Sequence, residues 1–376
     1  MTGVLTPPGA IAIHHGRHDE LLNTVVQLEQ APPVHAIIVP TSRPVHHLDH
    51  AMRLADSLDC WLLALCSQQA DAALTRRRAE EHRVRVIAVD VPATPQLPQL
   101  QTDRVLVDAG LHRRADTSAK RNLGLTLGRM LGWERAMFLD DDIVVGSAAD
   151  ILEAAAHVPS YAAVGLTNAG QHDNSVVCHA HRLTGGEQAC FIGGGALAVS
   201  PSHTRSFFPA IYNEDWFFLL DDVGLGRIGV TKGQAKQQPY DPFADPARAR
   251  AEEFGDLLAE GLFALLDDGR GVRDADLAYW RRYRDIRNRF IRDILARAGG
   301  VHRQQMRASL NAALDQLETI TPELCVKYLE AWRVDRTVWA EHMDNLTLGL
   351  QPHEALASLG LPPQIAHAAG GVTLLR

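Results

Sequence analysis

Three consecutive carboxylates, Asp140-Asp141-Asp142, follow the apolar run Ala136-Met137-Phe138-Leu139 and precede Ile143-Val144-Val145. Like charges a few ångströms apart repel and raise one another's pKa, so such a triplet is costly unless a cation neutralises it. Oxygen ligands suit Mg²⁺ or Mn²⁺. An ion of that kind bridges to a diphosphate and stabilises charge on a leaving group. A solvated acidic turn is the plainer alternative, and the apolar strands on either side argue against it.

Four more segments carry reactive or binding groups. Lys120, Arg121 and Asn122 stand in Ser118-Ala119-Lys120-Arg121-Asn122-Leu123-Gly124, and cations near a helix N-terminus pair with phosphate or with the acids. Pro40, Thr41 and Arg43 follow a short apolar run. Gly193, Gly194 and Gly195 lie in Phe191-Ile192-Gly193-Gly194-Gly195-Ala196, where a backbone without side chains lets amides approach a ligand. Asn213-Glu214-Asp215-Trp216 sets two acids beside aromatics; a general base or the first turn of a helix both account for it.

Strands and helices must hold these groups. Val34–Pro40, Cys60–Cys66 and Val84–Val89 are rich in β-branched and aliphatic residues and read as buried strands. Residues 49–58 and 70–82 between them have helical spacing, so this half reads as a parallel sheet with helices on both faces. Asp116-Thr117-Ser118 caps a helix that runs to about Leu131 and stops at Gly132. Arg135–Leu139 is the next strand, with the triplet at its carboxyl end, where open α/β sheets bind ligands. Tyr161–Leu166 and Ala189–Ser200 read as further strands, and Gly224–Pro246 as an irregular stretch. From Asp245 on, the spacing is helical.

Together the segments resemble the glycosyltransferases of the GT-A fold, in the manner of family 2. Phe138-Leu139-Asp140-Asp141-Asp142-Ile143 looks like their DxD motif, Ala119–Gly124 like the A-x-x-N-x-G helix before it, Gly194–Ala198 like G-G-x-x-A, and Glu214-Asp215 like the ED motif. The likeness spans residues 34–241 and implies an α/β, Rossmann-like nucleotide-sugar-binding domain with a mostly helical C-terminal region. It implies that Asp140 and Asp142 hold Mn²⁺ or Mg²⁺. Pro40, Thr41, Arg43, Lys120, Arg121, Asn122, Asp140, Asp141 and Gly193–Gly195 would line the donor, with Asp215, beside Glu214, as the base. The resemblance also calls for a histidine after the ED motif. No histidine lies between His203 and His302, and Gln237–Asp241 occupies that region, with Asp241 or water as the substitute ligand.

The expected division is an N-terminal extension over 1–33, a nucleotide-sugar-binding and catalytic domain over 34–244, and a helical region over 245–376. A net charge of −8 argues against a nucleic-acid partner. The five cysteines include no CxxC pair, no run of ~18 apolar residues appears, and the N-terminus has no secretory pattern, so a cytoplasmic enzyme is expected. Its partners would be a UDP- or GDP-linked donor and an acceptor of unspecified class, with a homodimer through the C-terminal helices as an option. Two other readings are a sugar-nucleotide nucleotidyltransferase, disfavoured by a glycine-free 40–44 loop, and a non-catalytic nucleotide-sugar-binding protein. His14, His15 and His18, and His46, His47 and His50, read as surface or capping groups. His179 and His181 would share one strand face. The arginines at 281, 282, 284, 287, 289 and 292 read as a solvated helix face.

Overall fold

The computed structural model describes residues 14–26, 28–112, 115–170 and 175–367. One mixed sheet organises the chain. Its strands are β1 (Asn23–Thr24), β2 (Ala36–Thr41), β3 (Trp61–Cys66), β4 (Val86–Asp90), β5 (Ala136–Leu139), β6 (Ile143–Val145), β7 (Ala163–Gly170), β8 (Ala196–Val199), β9 (Ile228–Gln237) and β10 (Gln364–Ala366). They run in the order β1-β9-β7-β8-β5-β2-β3-β4-β10, with β6 pairing β9 off this path.

The half β5-β2-β3-β4 is parallel, as its β-helix-β alternation demands. Helices α1 (Asp49–Ser57) and α2 (Ala72–His82) make its crossovers. The other half is mixed: β8 runs antiparallel to both β5 and β7, whereas β9 is parallel to β7. Successive side chains of a strand face opposite sides, and the two cores divide accordingly. Ile38, Leu63, Leu65, Ile87 and Phe138 point into one core. Ile37, Val39, Leu62, Ala64 and Met137 point into the other, against α1, α2 and α5 (Ala148–Ala156).

The first core continues through α3 (Gln101–Asp108) and α4 (Thr117–Met130), then α6 (Val176–Leu183), α7 (Glu214–Leu219), α8 (Pro246–Asp267), α9 (Leu277–Arg297), α10 (Arg303–Thr319), α11 (Pro322–Asp344) and α12 (Pro352–Ser358). Asp335 of α11, fully buried, accepts from the backbone N–H of Gln101 and Thr102 at 2.7 and 2.8 Å and so caps α3 from another helix. No helix of the described residues is long and apolar enough to cross a membrane.

Four expectations need correction. Gly224–Pro246 contains the ten-residue strand β9. After buried Ile228 and Gly229, its buried positions are the small Thr231, Gly233 and Ala235, alternating with exposed Lys232, Gln234 and Lys236, so over residues 231–236 the period of two is present without large apolar residues to announce it. The strand expected over Ala189–Ser200 is only β8, and residues before Ala196 are irregular. His179 and His181 lie on helix α6, where residues two apart do not share a face. The arginine-rich α9 is not solvated throughout. Arg287 is 2 % exposed and donates to Glu253 at 2.9 Å and Asp256 at 2.5 Å on α8.

Candidate active site

The triplet begins where β5 ends, beside the carboxyl end of β2, so Thr41 and Arg43 reach it directly. Thr41 Oγ1 donates to Asp141 Oδ2 at 2.6 Å. Arg43 donates to Asp141 and, at 2.9 Å, to Asp142 Oδ2. The same Asp142 oxygen accepts from Gln237 Nε2 at 2.9 Å, from the end of β9. Arg121, on the second turn of α4, donates through Nη2 to both oxygens of Asp140 at 2.9 Å and through Nη1 to Glu214 at 2.7 Å.

Charge balance follows from this geometry. Burial alone would lower the Arg121 pKa, but Asp140, Glu214 and Asp215 more than offset that and raise it. Burial likewise opposes the charge on Arg43, and Asp142 and Asp141 outweigh it. Burial raises the Asp140 carboxyl; Arg121 opposes the shift, and the neighbouring Asp142 and Asp141 add to it. Two arginines therefore face three acids, and because Arg121 is shared with Glu214 they offset only part of the triplet's charge.

The glycine segment closes over this pair. Gly194 N–H donates to Asp215 Oδ2 at 2.7 Å. A Cβ on Gly194 would come within 2.6 Å of the Arg121 guanidinium carbon, so glycine is what lets this turn approach Arg121. Asn213, left-handed at φ 60°, turns the chain into α7 and brings Glu214 and Asp215 toward the triplet. Asp215 Oδ1 also accepts from Trp216 N–H at 2.9 Å. A cavity of about 220 Å³ opens here, walled by Arg121, Asp140, Gly193, Gly195, Glu214 and Asp215. Ser175 and Cys178 of α6 and Asp256 and Glu260 of α8 complete it.

A scan against protein-family models finds no match, and a search of curated proteins finds none either. Among solved structures, the mannosyltransferase PcManGT from Pyrobaculum calidifontis, in complex with GDP-Man and Mn²⁺, superposes with a TM-score of 0.46 at 12% identity, over 85% of this chain and 92% of that one.

Thr41, Arg43, Arg121, Asp140, Asp141, Asp142, Gly193, Gly194, Gly195, Glu214 and Asp215 come together. Three others have different partners. Pro40 is buried within β2, paired in register with Leu65. Lys120 is buried and donates to Thr41 O at 2.8 Å and Ser67 Oγ at 2.7 Å, pinning α4 to the ends of β2 and β3. Asn122 bonds the backbone N–H and C=O of Phe208, both at 2.8 Å. Asp241 accepts from Phe243 N–H at 2.9 Å, a local turn, while Gln237 from the same segment reaches Asp142.

Sequence reasoning missed Gln237 and the polar floor of the cavity. Glu253, Asp256 and Glu260 recur at helical spacing on α8 and are buried, which marks a polar stripe turned inward. The triplet's carboxylate oxygens have the hard-ligand chemistry that Mg²⁺ or Mn²⁺ prefers. Among the described residues, however, it forms no group of three ligand atoms within 4.8 Å of one another. Its Asp140 and Asp142 carboxylates, 29% and 23% exposed, are instead engaged by Arg121, Arg43 and Gln237.

Proposed function

We propose that this chain is a glycosyltransferase of the GT-A kind that uses a nucleotide-diphosphate sugar, UDP- or GDP-linked. The reading rests on one observation: a cavity at the carboxyl end of β5 is lined by Asp140, Arg121, Gly193, Gly195 and the Glu214-Asp215 pair, with Asp141 and Asp142, held by Arg43, following Asp140 at its edge. Strand ends of an α/β sheet are where such ligands dock.

Arg43 and Arg121 carry fixed positive charge into the site and would meet the donor's diphosphate or release it. Asp215 is the group that takes the acceptor's proton. Backbone N–H groups of Gly194 and Trp216 hold its two oxygens in a fixed orientation, which leaves a lone pair on each for that proton. Arg121 holds Glu214 beside it. Gly193 and Gly195 leave room against Asp140 for the sugar ring. With donor bound, Asp142 and Asp140 would hold a divalent cation together with the diphosphate, and that ion would supply charge against the leaving nucleotide.

The test is turnover. Wild-type protein, given UDP- and GDP-sugars with Mn²⁺ or Mg²⁺, should release free nucleoside diphosphate, by hydrolysis or by transfer to an added acceptor. Asp215→Asn should cut that rate by ~10²-fold or more while donor binding persists. Unchanged turnover in Asp215→Asn would remove the base assignment; absence of turnover with every donor would sink the reading.

A further inference from the structure

Beneath the cavity lies a second cluster that the transfer chemistry does not use. His14 and His18 come from the segment before β1, Cys178 from α6, and Glu260 from α8. Their side chains are nearly sealed: 7% exposed at His14, 3% at His18 and 3% at Glu260, with Cys178 at 1%. One ligand atom each from His14, Cys178 and Glu260 lie within 4.8 Å of one another. His14 Nδ1 is 3.8 Å and His18 Nε2 is 3.5 Å from Glu260 Oε2, and Cys178 Sγ is 3.7 Å from Glu260 Oε1.

Two features point to a missing occupant. Glu260 Oε2 is buried and meets only the two imidazoles, His18 Nε2 at 3.5 Å and His14 Nδ1 at 3.8 Å, with no shorter hydrogen bond. A buried carboxylate oxygen held only by such long contacts costs free energy. Both imidazoles are also turned so that their far nitrogens are held. His14 Nε2 meets Gln188 Oε1 at 2.6 Å, and His18 Nδ1 meets Asp267 Oδ2 at 2.5 Å. At His14 the acceptor on the far nitrogen fixes the tautomer whose lone pair faces inward, and His18, with a carboxylate at each ring nitrogen, braces Glu260, the outer-shell pattern of metal ligands.

We propose that His14 Nδ1, Cys178 Sγ and the Glu260 carboxylate bind a zinc ion, with His18 holding Glu260 from outside the ligand set. Metal–ligand lengths of ~2.0–2.3 Å in a tetrahedron place ligand atoms roughly 3.3–3.6 Å apart, close to the separations from Glu260 found here. Thiolate, imidazole and carboxylate together favour Zn²⁺ over the hard cations expected at the triplet. Thiolate and carboxylate cancel the charge of the ion. Burial holds the Cys178 thiol protonated without metal, so a sulfur–zinc bond forms as the S–H bond breaks and the proton leaves to solvent. Three protein ligands leave the fourth tetrahedral position to water. The site ties the chain before β1 to α6 and α8, the two helices that floor the cavity.

The experiment is metal analysis of the full chain after zinc loading and exhaustive dialysis, paired with cobalt substitution. Wild type should retain about one zinc per chain. The cobalt form should show a thiolate-to-metal charge-transfer band. That band should vanish in Cys178→Ser, and Asp267→Asn, which loosens only the orientation of His18, should weaken zinc binding ~10–100-fold. Asp142→Asn should keep its zinc. Wild-type protein without zinc, or a cobalt spectrum without the thiolate band, overturns the proposal whether or not the variants fold. Zinc lost in Asp142→Asn would also overturn it, by assigning the ion to the triplet.

Discussion

Replacing Arg121 with methionine keeps the bulk of the side chain and removes its charge. In the native structure the guanidinium is 4% exposed and holds two carboxylates, Asp140 at 2.9 Å and Glu214 at 2.7 Å. Removing one partner of a buried ion pair costs ~3–5 kcal/mol, because the remaining charge stays in poor solvent. Asp140 and Glu214 are 29% and 13% exposed, so water reaches them in part and the lower end, about 3 kcal/mol, applies. Unfolding entropy of ~2.1 cal/mol/K per residue over 376 residues turns that into a fall in Tm of about 4 °C. Differential scanning calorimetry reads it. Adding Glu214→Gln or Asp140→Asn to Arg121→Met should recover part of the loss, although each alone destabilises the wild type; a double-mutant cycle isolates that coupling. An Arg121→Met protein as stable as wild type, or one that Asp140→Asn destabilises further, would refute the view that Arg121 balances the triplet.

Two further perturbations test how the scaffold holds the site. Asp335→Ala strips three donors of their acceptor, Gln101 N, Thr102 N and Thr102 Oγ1, all within 2.8 Å, and should cost about 3 kcal/mol in denaturant unfolding, with Asp335→Asn costing less. His50 Nε2 accepts from Val145 N–H at 3.0 Å, in the strand just after the triplet. Burial, with Arg53 adding to it, lowers the His50 pKa below the ordinary 6.5. The unfolded chain therefore binds the proton first, so this contribution is complete above pH 6.5 and is lost as pH falls through the lower folded value. Stability curves of wild type and His50→Gln should diverge at neutral pH and converge in acid; parallel curves would contradict the assignment.

The parallel half of the sheet was legible because buried parallel strands write themselves as continuous apolar runs, as Ile37–Val39 and Leu62–Leu65 do. The β9 strand was not, since beyond Ile228 and Gly229 its buried positions are the small Thr231, Gly233 and Ala235. The antiparallel insertion of β8 between β5 and β7 depends on chain path, which local pattern does not encode. At the site, the acids, Arg43, Arg121 and the glycines could be named from order and residue type. Lys120 and Asn122 have the same types, yet their partners, Ser67 and Phe208, lie far along the chain. His18 illustrates the same limit. Its surface reading follows from local sequence, whereas Asp267 and Glu260, its partners in the fold, arrive more than two hundred residues later.

Isothermal titration calorimetry with UDP- and GDP-sugars, in Mn²⁺ and in chelator, tests directly whether the cavity beside Asp140–Asp142 receives a nucleotide-diphosphate sugar. At least one such donor should bind saturably at micromolar to millimolar Kd, more tightly with Mn²⁺ and ~10-fold or more weakly in Asp142→Asn. No heat from any donor under either condition, or binding that Asp142→Asn leaves untouched, would contradict the proposal.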